Sequence, residues 1–167
     1  MGLVCYWVQS QSHIKKEQVM SQSNAFVGLD VHKDSISVAL VSAEGDAVEI
    51  GQFENAPTVV QKLVLRLIRT HSSLSFAYEA GPCGYGLYRQ LKDMGHECLV
   101  AAPSLIPKRP GDRIKTDRRD AMSLARLLRM GELTAVWVPD PHHEAIRDLV
   151  RCRDDFKQAE RRCRQRM

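Results

Sequence analysis

Hydrophobic and polar positions alternate along much of this chain and change period where elements change. AFVGLD (Ala25 to Asp30) is a short apolar run closed by a carboxylate, and SISVALVSA (Ser35 to Ala43) alternates small and apolar residues as a strand does. After the turn Glu44-Gly45-Asp46, AVEIGQF (Ala47 to Phe53) alternates again, so the three runs predict an antiparallel meander with hairpin turns. Pro57 opens a helix in which Val60, Leu63, Val64, Leu67 and Ile68 form one apolar stripe reaching about His71. LSFAYEA (Leu74 to Ala80) is a fourth strand, broken by the GPCGYG turn. Leu87, Leu91 and Met94 carry a second helix that Gly95 ends, and ECLVAA (Glu97 to Ala102) is a fifth strand.

Meander, helix, strand, helix, strand is the order of a ribonuclease H-like α/β fold, with a mixed five-stranded sheet and flanking helices. A doubly wound nucleotide-binding sheet would alternate strand and helix from the start. A long loop follows, PSLIPKRPGDRIKTDRRD, in which Pro103, Pro107, Pro110 and Gly111 exclude regular structure. A helix then runs from Thr116 or Asp117 to Met130, and TAVWVP (Thr134 to Pro139) reads as strand-like. The last helix starts near Pro141. Its apolar positions Ile146, Leu149, Cys152, Phe156, Ala159 and Cys163 make a coiled-coil-like seam under a basic outer face, suited to packing on another helix and to homo-oligomerisation. Residues 1–24 show no periodicity and read as a disordered leader, Met20 offering a later start; 25–139 form the main domain and 140–167 the beginning of the coiled-coil helix.

Composition changes this picture little. Hydrophobic residues are 44% and charged residues 26% of 167, ordinary for a globular chain. No window is apolar enough to span a membrane, and GLVCYWV has neither a basic flank nor a cleavage site, so the chain reads as cytoplasmic with no membrane partner. Five cysteines without a CxxC pair fit a reducing compartment better than disulfides or zinc.

Charge is more informative once divided. Residues 25–102 carry six basic and nine acidic side chains, whereas residues 103–119 carry six basic and two acidic ones. That excess (Lys108, Arg109, Arg113, Lys115, Arg118, Arg119) points to a polyanion such as DNA or RNA, because neutralised phosphates release counterions. A solvated charged loop accounts for charge alone equally well.

Four acids stand where acids are expensive. Asp30 and Glu79 close apolar strands, and adjacent parallel strands would bring them together; Phe76 and Tyr78 beside Glu79 point to its burial. Asp117 and Asp120 share a helical stripe with Ala121, Leu124 and Leu128, which must face the protein. Clustered buried carboxylates need a cation, and an all-oxygen donor set favours Mg²⁺ or Mn²⁺. Two such ions about 4 Å apart clamp the attacking and leaving oxygens of a phosphoryl displacement. Taken singly, Asp30 also reads as a turn acid and Asp117 as an ordinary first-turn helix acid. His32 and Tyr85 stay unassigned between substrate contact and ordinary packing. The glycines of GPCGYG match no phosphate-cradling pattern.

The segments GLDVHKDS, YEAGPCGYGLYRQL, APSLIPKRPGDRIKTDRRDAMSLARLLRMGELTAVWVP and EAIRDLVR resemble the N-terminal, RuvC-like domain of the DEDD-type insertion-sequence transposases, whose recombination is guided by a bridge RNA. The resemblance implies that Asp30, Glu79, Asp117 and Asp120 are the catalytic, Mg²⁺-binding tetrad and that the domain contacts DNA and guide RNA. It also implies a continuation through a coiled coil into a second domain with a nucleophilic serine, which this chain, ending at Met167, lacks. The expected function is therefore the N-terminal catalytic domain of a transposase, cutting and joining DNA together with that serine domain. The alternatives are a stand-alone structure-selective nuclease of the same fold and an inactive nucleic-acid-binding remnant.

Overall fold

The computed structural model describes residues 24–107 and 117–166, Asp117 by its backbone only. The expected disordered leader lies outside the described residues except for Asn24. That residue is tied to the folded body: its N–H donates to Ser73 Oγ (3.0 Å), and its backbone oxygen accepts from Ala43 N–H (3.0 Å).

Five strands, β1 (Ala25–Val31), β2 (Ser35–Ser42), β3 (Ala47–Glu54), β4 (Leu74–Glu79) and β5 (Glu97–Ala101), form one sheet in the order β3-β2-β1-β4-β5. The meander pairs antiparallel, while β1–β4 and β4–β5 pair parallel. This is the mixed five-stranded, ribonuclease H-like arrangement expected from the order of elements. Helices α1 (Pro57–Ile68) and α2 (Gly86–Asp93) are the crossovers that parallel pairing requires.

The strict alternation expected of β3 is broken. Val38 pairs with Gly51 and Ala39 with Glu49, so Ile50 is an extra residue, and Gly51 adopts φ 132° to admit it. The expected strand at Thr134 to Pro139 also shrinks, to a single antiparallel bridge between Ala101 and Ala135 flanked by the bonds Ala102 N–H to Thr134 O (2.9 Å) and Val136 N–H to Val100 O (2.8 Å).

Each face of the sheet carries its own helices because successive side chains point to opposite sides. Leu29, Ile36 and Phe76 meet Val60, Leu63 and Val64 of α1 and Leu91 of α2. On the other face Phe26, Ala77, Leu99 and Ala101 pack with Leu124, Leu127 and Leu128 of α3 (Asp117–Met130). Each fully buried leucine there contributes about 1.5–3 kcal/mol. The chain divides into two compact units between Val136 and Trp137. The second holds α4 (Pro141–Gln165), whose first turn is capped by Asp140, the carboxylate accepting from His143 N–H (2.8 Å).

Candidate active site

The register of β1 and β4 fixes where two of the four acids stand. Gly28 pairs with Ala77 and Leu29 with Tyr78 in parallel, so Asp30 and Glu79 occupy the next rung at the carboxyl ends of both strands. They share the face of Gly28 and Ala77, because positions two apart on a strand point the same way. That is the face α3 covers.

Gly28 determines how closely. A Cβ at this position would overlap the Ala121 carbonyl oxygen and lie 2.5 Å from the Ala125 amide nitrogen, so only glycine lets α3 rest directly on β1. Asp120 precedes Ala121 and is half-buried, placing it at the end of α3 that lies toward Asp30. Asp30 and Glu79, distant in sequence, thus stand at one edge and on one face, and Asp120 belongs to the helix that covers that face. Among the described residues, however, no three His, Cys, Asp or Glu side chains are arranged to hold a metal ion. Asp117 is the first residue of α3, and its side chain lies outside the described set. The carboxylate oxygens at this edge fit a hard divalent cation such as Mg²⁺ or Mn²⁺, and the free thiol of Cys83 nearby donates to Val31 O (3.8 Å).

The Asp30 side chain is 18% exposed, and its Oδ2 lies 3.1 Å from His32 Nε2. His32 is itself placed by the tight turn between β1 and β2, where its N–H donates to Ser35 O (2.9 Å) and its own oxygen accepts from Asn55 Nδ2 (2.7 Å). Glu79 departs from expectation: it is exposed. Phe76 and Tyr78 are buried on the other sheet face, so their burial says nothing about a residue of opposite parity.

Of the basic residues, Lys108, Arg109, Arg113 and Lys115 lie outside the described residues. Arg118 and Arg119 are exposed on α3. Arg118 Nε reaches Glu49 Oε2 of β3 at 2.7 Å, and at the helix's other end Arg129 donates to the carbonyls of Ser42 (3.3 Å) and Gly45 (2.6 Å). Sequence reasoning misses these ties and the role of Gly28. A glycine inside an apolar strand is the available signal for a close backbone approach.

Comparison with known proteins identifies the family. The family model for IS110-type DEDD transposases, described as a transposase, matches residues 27–167. A protein of Sinorhizobium fredii named as a putative transposase, y4qE, is 53% identical over 137 residues, covering 81% of this chain and 35% of that protein. The transposase for insertion sequence element IS1533 of Leptospira borgpetersenii is 38% identical over 144 residues, covering 85% of this chain and 42% of that one. The chain therefore spans about two fifths of the length of these relatives. Among solved structures, T. thermophilus RuvC in complex with a Holliday junction substrate is similar at a TM-score of 0.43 and 12% identity, covering 67% of this chain and 99% of that one. Strand order and register carry the fold without it. The match across residues 27–167 and the two relatives place this chain in the IS110-type DEDD transposase family.

Proposed function

We propose that this chain is the metal-binding, nucleic-acid-cleaving part of an insertion-sequence transposase, with Asp30, Glu79, Asp117 and Asp120 as its catalytic ligands. The observation that carries the reading is the meeting of β1, β4 and the start of α3 at one sheet edge, with Asp30, Glu79 and Asp120 all on the α3 side. Asp117, one helical turn before Asp120 in the sequence, is the fourth ligand in this reading.

Mg²⁺ or Mn²⁺ held by these carboxylates supplies Lewis-acid stabilisation of the charge that develops on a phosphodiester during displacement. The protein's own groups do the rest. Asp30 presents its carboxylate from a strand end whose backbone is paired on both sides, which limits its freedom. When His32 Nε2 carries a proton it donates to Asp30 Oδ2, which restricts the orientation of that carboxylate. Lys108, Arg109, Arg113 and Lys115 with Arg118 and Arg119 draw the phosphate backbone to that edge. The partners in this reading are DNA and a guide RNA, and strand joining depends on a serine-bearing domain of the kind the family resemblance implies. α4 supplies a contact with a second copy through Ile146, Leu149 and Phe156, which are 47%, 72% and 72% exposed.

The test is a DNA-binding and cleavage assay on the full chain. Neutralising Lys108, Arg109 and Arg113 together is expected to weaken binding and lower the salt-dependence slope by about three, roughly one for each phosphate left unneutralised. With the serine-bearing domain supplied, metal-dependent DNA cleavage is expected to vanish in Asp30→Asn and Asp120→Asn while their binding persists. An unchanged salt slope removes the basic loop from the interface, and cleavage that survives both substitutions overturns the assignment. Turnover on branched DNA by this chain alone makes it a stand-alone nuclease.

A further inference from the structure

On the sheet face opposite the acids, a groove of about 730 Å³ lies between the start of α1 and α2, within the range of small-molecule sites. Val31 lines it and Asp30 precedes Val31, so groove and acids flank the end of the same strand. The apolar part of the wall is formed by Val31, Leu87 and Met94, over a floor that includes Tyr78, which is buried and whose hydroxyl donates to Gly84 O (3.2 Å).

The polar part is built of amides. Asn55 donates its Nδ2 to His32 O (2.7 Å), and Gln90 donates its Nε2 to Pro57 O (2.7 Å). Both side chains are thereby oriented, and each keeps a carbonyl oxygen as a further acceptor. Gln61 lines the same groove and makes no side-chain hydrogen bond among the described residues. The charged lining residues Arg89 and Asp93 are of opposite sign, so the groove does not select an anion.

We propose that this groove receives one unpaired nucleobase of the bound nucleic acid strand. A base has apolar faces and an edge of N–H donors and carbonyl acceptors, which is what oriented amides beside an aliphatic wall recognise. A phosphate would demand net positive charge, and a purely apolar ligand would leave the amides unpaired. The inference rests on the proposed active site only for what it adds there: a strand crossing the carboxyl edge with its scissile phosphate at Asp30 would have the neighbouring nucleotide within reach of the groove.

Gly86 makes the test possible without disturbing the fold. It lines the groove, and a Cβ at that position meets nothing within 4 Å, so a bulky side chain there extends into open space. The probes are the four deoxynucleoside monophosphates and their ribonucleotide counterparts, titrated into the full chain in EDTA. The readout is the NMR side-chain amide signals of Asn55, Gln61 and Gln90. Saturable shifts are expected, reproduced in Asp30→Asn and Gly86→Ala, and weakened at least tenfold in Gly86→Phe with no drop in melting temperature. A stronger response to one sugar series identifies DNA or RNA as the source. No shift at these amides, or shifts that survive Gly86→Phe unchanged, overturns the proposal. Because EDTA and Asp30→Asn remove the metal site, the groove can fail while metal binding holds, and the reverse.

Discussion

Single residues decide how near the acids come. Gly28 is the position in β1 where α3 touches backbone, and Gly28→Ala forces a methyl against Ala121 and Ala125. Overpacking of this kind costs about 1–3 kcal/mol, and the helix has only two ways to respond: shift off β1, or strain. Urea denaturation is expected to show that destabilisation, and a variant as stable as the parent would mean α3 does not lie on β1 as described. Cys98 on β5 makes a second residue-scale case, since burial pushes its thiol up to about 12. An unfolded thiol ionises near 8.5, so the protonated form is the one folding favours. Its contribution is complete below about pH 8.5 and is lost as pH rises toward about 12. Accordingly, alkylation followed by mass mapping at neutral pH is expected to label the exposed Cys83 and spare Cys98 until the protein unfolds. Equal labelling of the two would show that Cys98 is accessible. His96 carries the opposite sign. Burial lowers its pKa, its Nε2 is buried without a hydrogen-bond partner among the described residues, and it sits edge-on to Phe76 at 5.6 Å, so this residue subtracts stability as pH falls.

Among the elements, α4 shows most plainly what local sequence can establish. Its start is fixed by Asp140 and Pro141, and its length by an uninterrupted run without glycine or proline, so the helix is readable from the chain alone. The cap is testable there. Hydrogen bonds from His143, backbone first and then ring, hold the Asp140 carboxyl below its usual range, so the cap persists above that range and is lost as pH falls. Circular dichroism at 222 nm is expected to show less helix in Asp140→Ala than in Asp140→Ser, because serine also caps. Identical spectra would mean the cap contributes nothing. The seam of α4 belongs to the same scale. With Leu149 and Phe156 each 72% exposed, Leu149→Glu with Phe156→Glu is expected to convert an associating chain to monomer in sedimentation; an unaltered distribution removes α4 from self-association. The bulge in β3 marks the limit of such reading, because Ile50 breaks the period only when Gly51 turns to φ 132°, and nothing in AVEIGQF announces which residue is extra.

For the whole molecule, the succession of elements is enough to give the sheet: a meander must pair antiparallel, and two strands joined through helices must pair parallel. The position of Asp30 follows from its place at a strand end, and that of Asp120 from its stripe with Ala121 and Leu124. Glu79 stands on the expected edge, but the argument from its neighbours fails, since the burial of Tyr78 belongs to the opposite face. The groove and the ties of Arg118 and Arg129 are not legible, because each joins segments far apart in sequence that carry no shared pattern. What the assembled molecule adds is convergence of elements: the ends of β1 and β4 bring Asp30 and Glu79 to one edge, and α3, which carries Asp120, rests on β1 through Gly28. The most direct measurement of whether that convergence is a metal site is calorimetric titration of Mn²⁺ into the parent chain, Asp30→Asn and Asp120→Asn. Saturable binding in the parent, abolished in both variants while their melting temperatures hold or rise as like-charge repulsion is relieved, is the predicted result. Equal Mn²⁺ affinity in all three proteins, or none in the parent, would contradict it.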